Sequence, residues 1–218
     1  MTASRPTAGR RSDETLDRLA AALADRPGAV VTLATDEPEP RRAAVALVLR
    51  PANGAPANGA PANGAPAPSL LLVKRAEYPG DPWSGHIAFP GGRAEPDDAT
   101  PWDTAARETW EETGLDLRHN ARLLGTLDEL HPRTPTLPPI IVRPHVVVAD
   151  AFGPLRLSDE LADGFWVPLD HFAAPGVDRP STVTARGRTL VVPSFVVDGH
   201  MIWGMTERIL RQLLMLIA

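Results

Sequence analysis

The chain has 218 residues, of which 43% are hydrophobic and 22% are charged. This length fits one globular domain with extensions better than two domains. The formal charge of -5 argues against a polyanionic partner such as DNA, RNA or an acidic membrane surface, because nothing global attracts one. Cysteine is absent, which excludes a disulfide scaffold and thiolate catalysis and makes a reducing compartment plausible. We therefore expect a cytoplasmic protein in which any phosphate-bearing ligand needs a local site.

The N-terminal stretch predicts a tail followed by a helix. Residues 1–12 contain three arginines but are followed by no apolar core of a signal peptide, and we expect them to form a disordered tail. No run of the chain reaches the roughly 18 apolar residues that suggest a membrane span. Apolar residues recur at helical spacing over residues 13–25, which predicts a short amphipathic helix. Residues 13–218 are expected to form a single domain.

Three tandem Pro-Ala-Asn-Gly-Ala units span Pro51 to Ala65. They lack the apolar side chains that would offset the entropy of ordering the chain. Five residues are also too few for a supersecondary unit with its own core, which excludes a solenoid. The sequence therefore predicts a low-complexity, mobile loop over residues 51–68.

Strand-like runs rich in Val, Ile and Leu are separated by Pro, Gly and Asp. They cover Arg42–Arg50, Ser69–Lys74, Leu123–Leu130, Ile140–Val148 and Gly164–Pro168. Asp198-Gly199 is a strong hairpin signal between two further runs, and a helix is expected from about Thr206 to Leu216. Those two runs are Leu190–Val197 and His200–Trp203. The pattern predicts a mixed sheet with helices, of class α/β or α+β.

One strongly signalled helix follows the strand that begins at Ser69. Thr100 suits the N-cap, Pro101 is tolerated at the first helical position, and Gly114 ends the helix. One mostly apolar stripe of this helix is expected to face a core. Its members are Trp102, Ala105, Ala106, Thr109, Trp110 and Thr113.

Three glutamates of this helix, Glu108, Glu111 and Glu112, are spaced i, i+3 and i+4. At this spacing they lie within an arc of roughly 100°, on the face turned away from the apolar stripe. Their mutual repulsion would become a binding site if a hard divalent cation accepted their oxygens, whereas a solvated acidic face is the alternative. The upstream segment Ala88–Arg93 favours the metal site, because its glycine pair lets backbone groups approach a metal or phosphate.

The segments Gly92–Asp98 and Arg107–Leu115 together resemble the Nudix box, G-x5-E-x7-R-E-U-x-E-E-x-G-U, where U is a bulky apolar residue. Asp98 stands at the first glutamate position, eight residues rather than seven separate it from Arg107, and Thr109 replaces an aliphatic residue. The resemblance implies the Nudix fold, a mixed β-sheet sandwiched between helices. It also implies a metal-dependent enzyme that cleaves diphosphate bonds. The residues that match the box are Arg107, Glu108, Glu111, Glu112, Gly114 and Leu115.

The resemblance further implies roles for individual residues. Arg107 would orient a carboxylate, and the metal would be one to three Mg²⁺ or Mn²⁺ ions, which activate water and neutralise phosphoryl oxygens. The general base would be Glu108 or a carboxylate from a loop outside the box, here Glu160, for which an exposed loop carboxylate is the alternative. The metal ligands implied are Glu108, Glu111, Glu112 and the backbone near Gly92.

Over about residues 43–215 the chain resembles the coenzyme A pyrophosphatase branch of the family. Leu71–Arg75, Phe165–Leu169 and Trp203–Thr206 carry this likeness. The stretch Ala76–His86, however, is one residue longer than that branch's signature and lacks its arginine. Coenzyme A or an acyl derivative is therefore the expected substrate, with ADP-ribose, NADH and dinucleoside polyphosphates as alternatives. A nucleotide-binding module without turnover is a further alternative, although such modules usually lose the box glutamates.

Four residues are expected to contact this nucleotide-derived substrate. Lys74 and Arg75 would neutralise phosphate, with an exposed strand end as the alternative. Trp83, like Tyr78, would stack on an adenine or line a pocket, although a core position is the alternative. Arg93 lies within the box itself. No nucleic acid or membrane partner is expected, and the sequence is compatible with a homodimer.

Overall fold

The computed structural model describes residues 8–34, 38–51, 67–78, 84–132, 139–149, 153–185 and 188–218. Helix α1 begins at Ala8, inside the stretch that the sequence predicted as a tail. Residues 1–7, Trp83 and the repeat after Pro51 lie outside the described residues, so the predictions made for them stay predictions.

Groups of strands are separated by helices along the described part of the chain. The helices are α1 (Ala8–Asp25), α2 (Pro101–Thr113), α3 (Leu117–Asn120) and α4 (Gly204–Met215), with a 3₁₀ turn at Leu169–Ala173. The strands are β1 (Arg41–Arg50), β2 (Ser69–Arg75), β3 (Ile87–Ala88), β4 (Gly91–Arg93), β5 (Ala121–Thr126), β6 (Ile140–Ala149), β7 (Leu161–Pro168), β8 (Asp178–Ala185), β9 (Arg188–Val197) and β10 (His200–Trp203).

The larger sheet has seven strands and is mixed. Its order is β3-β2-β1-β6-β5, with β4 also paired to β1 and β7 to β2. Among the described strands of this sheet, only β1 and β6 run parallel, from Arg41 beside Ile140 to Leu49 beside Val148, and the other pairs are antiparallel. The predicted mixed sheet is confirmed.

Helices cover both faces of this sheet. Because successive residues of a strand point to opposite faces, β1 contributes Ala44, Ala46 and Val48 to one cluster and Leu47 and Leu49 to the other. The first cluster packs against α2, and the second packs against α1 and α4. The strands are therefore apolar on both sides, as a sheet between helices requires. No helix among the described residues is long and apolar enough to cross a membrane.

The smaller sheet shows where the sequence prediction was incomplete. The hairpin at Asp198-Gly199 forms as predicted, with both residues at positive φ. Strand β8 was missed, because Asp178, Arg179 and Pro180 at its start are uncommon in strands. The run predicted from Leu123 to Leu130 forms β5 only to Thr126, followed by a single bridge at Leu130.

Candidate active site

Helix α2 begins and ends where the sequence predicted. The Thr100 hydroxyl accepts a hydrogen bond from the Asp103 backbone N–H at 3.2 Å and donates one to the Asp103 carboxylate at 2.7 Å. Pro101 follows as the first helical residue. Gly114 ends the helix at φ 72°, a left-handed conformation that suits glycine. These caps fix which residues of α2 face the sheet and which face the Gly91-Gly92 strand.

The burial of α2 differs from the predicted stripe at Trp110. Ala105, Ala106, Thr109 and Thr113 are buried, but Trp110 is 49% exposed. The Trp110 ring instead lies 5.6 Å from the Arg156 guanidinium. Thr109 occupies the aliphatic position of the box without an unpaired hydroxyl, since this group donates to the Ala105 carbonyl at 2.7 Å.

Glu112 is also not on an open surface, contrary to the sequence prediction. It is only 6% exposed. Helix periodicity identified the side away from the sheet, but it did not show that other segments cover that side. The Gly91 N–H donates to the Glu112 carboxylate at 2.9 Å, and the Ser158 N–H donates to the Glu112 carbonyl at 3.0 Å. Glu112 is therefore enclosed by β4 on one side and by the segment before β7 on another.

The glycine pair leaves room for a close approach of its neighbours. A Cβ on Gly92 would lie 2.4 Å from the Glu108 carboxylate carbon, and one on Gly91 would lie 2.4 Å from the Ala44 carbonyl oxygen. Gly91 also has a φ of 145°, which favours glycine. Glu108 and Glu112 thus meet at Gly91-Gly92, one carboxylate against each glycine.

Arg107 organises the carboxylates that lie next to this pair. Its guanidinium donates to both oxygens of Asp98, at 3.1 and 2.9 Å, and to the Arg93 carbonyl at 3.0 Å. It also lies 3.0 Å from the Glu111 carboxylate and 3.2 Å from that of Glu108. Asp98 therefore makes a bidentate ion pair from the first glutamate position of the box, a contact that the sequence did not predict.

The pKa directions separate the two groups of carboxylates. The hydrogen bonds from Arg107 hold the pKa of Asp98 well below its usual range. Burial raises the pKa of Glu108, and it raises that of Glu112 to about 7, with the negative charges of Glu108 and Glu160 adding to the effect on Glu112. Glu108 and Glu112 therefore carry negative charge that the protein itself balances only in part.

Within the ranges that the structure describes, no three Asp, Glu or His side chains are arranged to hold one metal ion. Arg107 lies between two of these carboxylates, because its Nη1 atom is 3.2 Å from the Glu108 carboxylate and 3.0 Å from that of Glu111. Glu111 is exposed, with 55% of its side chain accessible. Of the three glutamates expected to share one patch, Glu108 and Glu112 lie at the glycine pair, and Glu111 is connected to Glu108 through Arg107.

The three basic residues expected near the substrate do not lie together. The charge of Arg75, at the end of β2, acts on Glu112. Lys74 is paired with Ile87 and Asp163 in the sheet, and the pairing of β2 with β7 shifts register between Lys74 and Arg75. The Arg93 residue is exposed, although its carbonyl is held by Arg107. Of these three residues, Arg75 is the one whose charge is seen to act on a buried carboxylate in the described part of the chain.

Glu160 lies in the turn before β7, exposed and near the site. Its charge contributes to the raised pKa of both Glu108 and Glu112, after burial as the main cause. Its backbone carbonyl accepts from the Ala76 N–H at 2.8 Å. The Tyr78 phenol donates to the Asp159 carbonyl, also at 2.8 Å. These contacts join residues about 80 positions apart, and no pattern in the sequence indicated them.

A family model described as NUDIX domain matches residues 40–186, which include β1, the glycine pair, α2 and Glu160. The Salmonella paratyphi B protein named as Nudix hydrolase NudL is 32% identical over 147 residues, covering 67% of this chain and 73% of that protein. Mouse mitochondrial coenzyme A diphosphatase NUDT8 is 28% identical over 159 residues, covering 69% of this chain and 71% of that enzyme.

A Schizosaccharomyces pombe protein of uncharacterised function is 33% identical over 171 residues. The alignment covers 74% of this chain but only 52% of that protein, so the chain spans about half the length of this relative. In all three relatives the likeness covers at least two thirds of the present chain.

Proposed function

We infer a specific reaction for this chain, which belongs to the NUDIX domain family and is a hydrolase that acts on phosphorus-containing anhydrides. We propose that it cleaves the diphosphate bond of coenzyme A or an acyl-coenzyme A in a metal-dependent reaction. The single observation that supports metal dependence most is the meeting of Glu108 and Glu112 at Gly91-Gly92. Two largely enclosed carboxylates with raised pKa values favour either a proton or a nearby cation.

Oxygen donors in this environment fit Mg²⁺ or Mn²⁺, both hard cations. Glu108 and Glu112 would hold the ion, with Glu111 joining them if it leaves Arg107. Bound there, the ion would lower the pKa of water and neutralise the phosphoryl oxygens of the substrate. Arg107 stays anchored on Asp98 and orients Glu108 and Glu111.

The surrounding residues supply the remaining requirements of hydrolysis. Glu160 is our candidate for the general base, because it is exposed to solvent and acts electrostatically on Glu108 and Glu112. Arg75 would pair with a phosphate of the substrate from the same face of the sheet. Lys74, the preceding residue of β2, would also neutralise a phosphate of the substrate.

The likeness to a coenzyme A diphosphatase, together with the segments around β2, β7 and the start of α4, supports coenzyme A as the substrate. The expected products are 3',5'-ADP and a 4'-phosphopantetheine derivative. The stretch Ala76–His86 lacks the arginine of the coenzyme A pyrophosphatase signature. Its absence limits the expected preference for coenzyme A, because a charge-assisted hydrogen bond is typically worth about 1.5–3 kcal/mol. ADP-ribose, NADH and dinucleoside polyphosphates are therefore the competing substrates.

A turnover panel tests the substrate assignment. We expect kcat/KM for coenzyme A to exceed the values for 3'-dephospho-coenzyme A, ADP-ribose, NADH and a dinucleoside polyphosphate when all are measured with one concentration of Mg²⁺. If a competitor has a value more than about tenfold higher, a difference of about 1.4 kcal/mol, coenzyme A is not the substrate. The absence of turnover for every compound, with Mg²⁺ and with Mn²⁺, would instead contradict hydrolysis of this substrate class.

A further inference from the structure

Tyr78 makes a contact that packing does not explain. The residue is 49% exposed, so little of its ring is buried in a core. Its phenol nevertheless donates a 2.8 Å hydrogen bond to the Asp159 carbonyl, 81 residues away in sequence. The Tyr78 N–H also donates to the Ser84 hydroxyl oxygen at 2.8 Å. Tyr78 therefore connects the segment after β2 with the turn before β7.

That turn is where Glu160 lies. The Leu161 N–H donates to the Ser158 carbonyl at 3.1 Å, which closes the turn around Asp159 and Glu160. The Ala76 N–H donates to the Glu160 carbonyl at 2.8 Å. The turn thus has two hydrogen bonds to the segment after β2, one from a backbone N–H and one from the Tyr78 phenol. Only the second can be removed by a side-chain substitution.

We propose that Tyr78 is a positioning residue that holds the Asp159–Glu160 turn so that the Glu160 carboxylate stays beside Glu108 and Glu112. This inference rests on the proposed function, in which Glu160 is the general base. A base must remain within hydrogen-bonding reach of the water it deprotonates, so a turn that samples other conformations lowers the rate of the chemical step. Tyr78 acts through the Asp159 backbone, and it touches neither the metal ligands nor Glu160 itself through its phenol.

A double-mutant cycle tests this role with Tyr78→Phe, which removes only the hydroxyl. With saturating Mg²⁺ and coenzyme A, we expect Tyr78→Phe to lower kcat about twofold to tenfold, with KM within twofold of the parent value. Glu160→Gln is expected to lower kcat at least about a hundredfold. The double variant should be no slower than Glu160→Gln alone, because a residue that acts only through Glu160 has no further effect once that base is gone.

Ser181→Ala is the matched control. The Ser194 hydroxyl donates to the Ser181 hydroxyl oxygen at 2.7 Å in the smaller sheet, so this variant also removes a side-chain hydroxyl that makes a hydrogen bond. It should leave kcat unchanged. The proposal is overturned if Tyr78→Phe retains the parent kcat, if its effect falls on KM instead, if the double variant loses the product of the two single effects, or if Glu160→Gln is as active as the parent.

Hydrogen exchange separates this proposal from the proposed function. In Tyr78→Phe, amide exchange in peptides covering residues 157–163 should be about twofold or more faster than in the parent and in Ser181→Ala. This measurement needs no substrate, so it remains decisive if coenzyme A is not hydrolysed. Unchanged exchange would overturn the positioning role whether or not the enzyme is active.

Discussion

Two neighbouring charge clusters of the box differ in how their negative charge is balanced. In the first, both carboxylate oxygens of Asp98 accept hydrogen bonds from the Arg107 guanidinium, and the pKa of Asp98 falls well below its usual range. In the second, Glu108 and Glu112 lie against the glycine pair with raised pKa values. We call the first cluster complete, because Arg107 makes two hydrogen bonds to Asp98, and this pair supports the structure. The same guanidinium also lies 3.2 Å from Glu108 and so balances part of the charge of the second cluster. The second is incomplete without a further positive charge, and this difference is what we expect of a cation site.

Removal of one carboxylate from the incomplete cluster has the largest expected effect. We expect Glu112→Gln to lower kcat about a thousandfold or more, because it removes a metal ligand, while the amide oxygen can still accept from the Gly91 N–H. The melting temperature should not fall, since a buried charge is also removed.

Glu111→Gln is the matched variant for this comparison. Glu111 is exposed and paired with Arg107, so we expect its loss in kcat to be at least tenfold smaller than that of Glu112→Gln. Both variants would be measured with Mg²⁺ across a concentration series. Equal losses, or parent-like turnover of Glu112→Gln, would show that the two glutamates are not distinguished as the structure indicates.

Substitution of the buried residue His145 tests whether burial alone can shift a pKa. It is 5% exposed, neither ring nitrogen has a hydrogen-bond partner, and the ring centroid lies 5.6 Å from that of Trp102. Burial, with a smaller effect of Arg143, lowers the pKa of His145 from 6.5 to about 4. The unfolded chain therefore binds the proton more tightly, so stability is fully present above pH 6.5 and falls as the pH drops towards 4.

We expect this residue to cost the parent about 2.5 kcal/mol of unfolding free energy between pH 7.5 and 4.5. Urea denaturation of the parent and of His145→Leu at both values measures it, because the variant lacks the titrating group and should lose correspondingly less. His119→Gln, which alters an exposed histidine, should behave like the parent. An identical pH dependence in the parent and His145→Leu would contradict the assignment. The titration of Glu112 has the opposite effect on the free energy of unfolding. Because its pKa is raised to about 7, protonation of Glu112 stabilises the fold as the pH falls over the same range.

The complete cluster should respond mainly in stability. The Asp98 side chain is 5% exposed and accepts from the Thr104 hydroxyl as well as from Arg107. We expect Asp98→Asn to lower the free energy of unfolding by about 2 kcal/mol and kcat about tenfold, because Arg107 then holds Glu108 and Glu111 less firmly. Arg107→Ala should act in the same direction.

Asp178→Asn is a suitable control, since Asp178 makes a bidentate pair with Arg211 at 2.9 and 3.0 Å but is about half exposed. It should cost less than about 1 kcal/mol and leave kcat unchanged. If Asp98→Asn reduced kcat as strongly as Glu112→Gln, the two clusters would not have separate roles.

The smallest effect is expected from the tandem repeat. Deletion of Pro51 to Ala65 should change the melting temperature and kcat little, because these units have few side chains that can pack and a shorter connection costs less entropy to close. Thermal unfolding and turnover of the deletion variant measure this. A large loss of activity would indicate that the repeat reaches the site.

The sequence predicted the parts of this molecule that depend on local patterns. Periodicity, caps and turn residues located α2, the apolar strands and the Asp198-Gly199 hairpin. The same reasoning failed for Trp110 and Glu112, because helix periodicity gives the direction of a side chain but not what packs against it. The bidentate Asp98 contact and the Tyr78 contact also depend on the tertiary fold, which brings distant segments together. Family resemblance identified the carboxylates, whereas only the structure divided them into two clusters.

Direct titration with Mn²⁺ tests the central claim, that the carboxylates at Gly91-Gly92 form the cation site and the Asp98–Arg107 pair does not. Isothermal titration calorimetry of the parent, Asp98→Asn and Glu112→Gln at pH 8 needs no substrate. We expect Asp98→Asn to bind Mn²⁺ with a Kd within about threefold of the parent value. We expect Glu112→Gln to bind Mn²⁺ at least about tenfold more weakly than the parent, a difference of some 1.4 kcal/mol. Equal Mn²⁺ affinity of Glu112→Gln and the parent would contradict this claim.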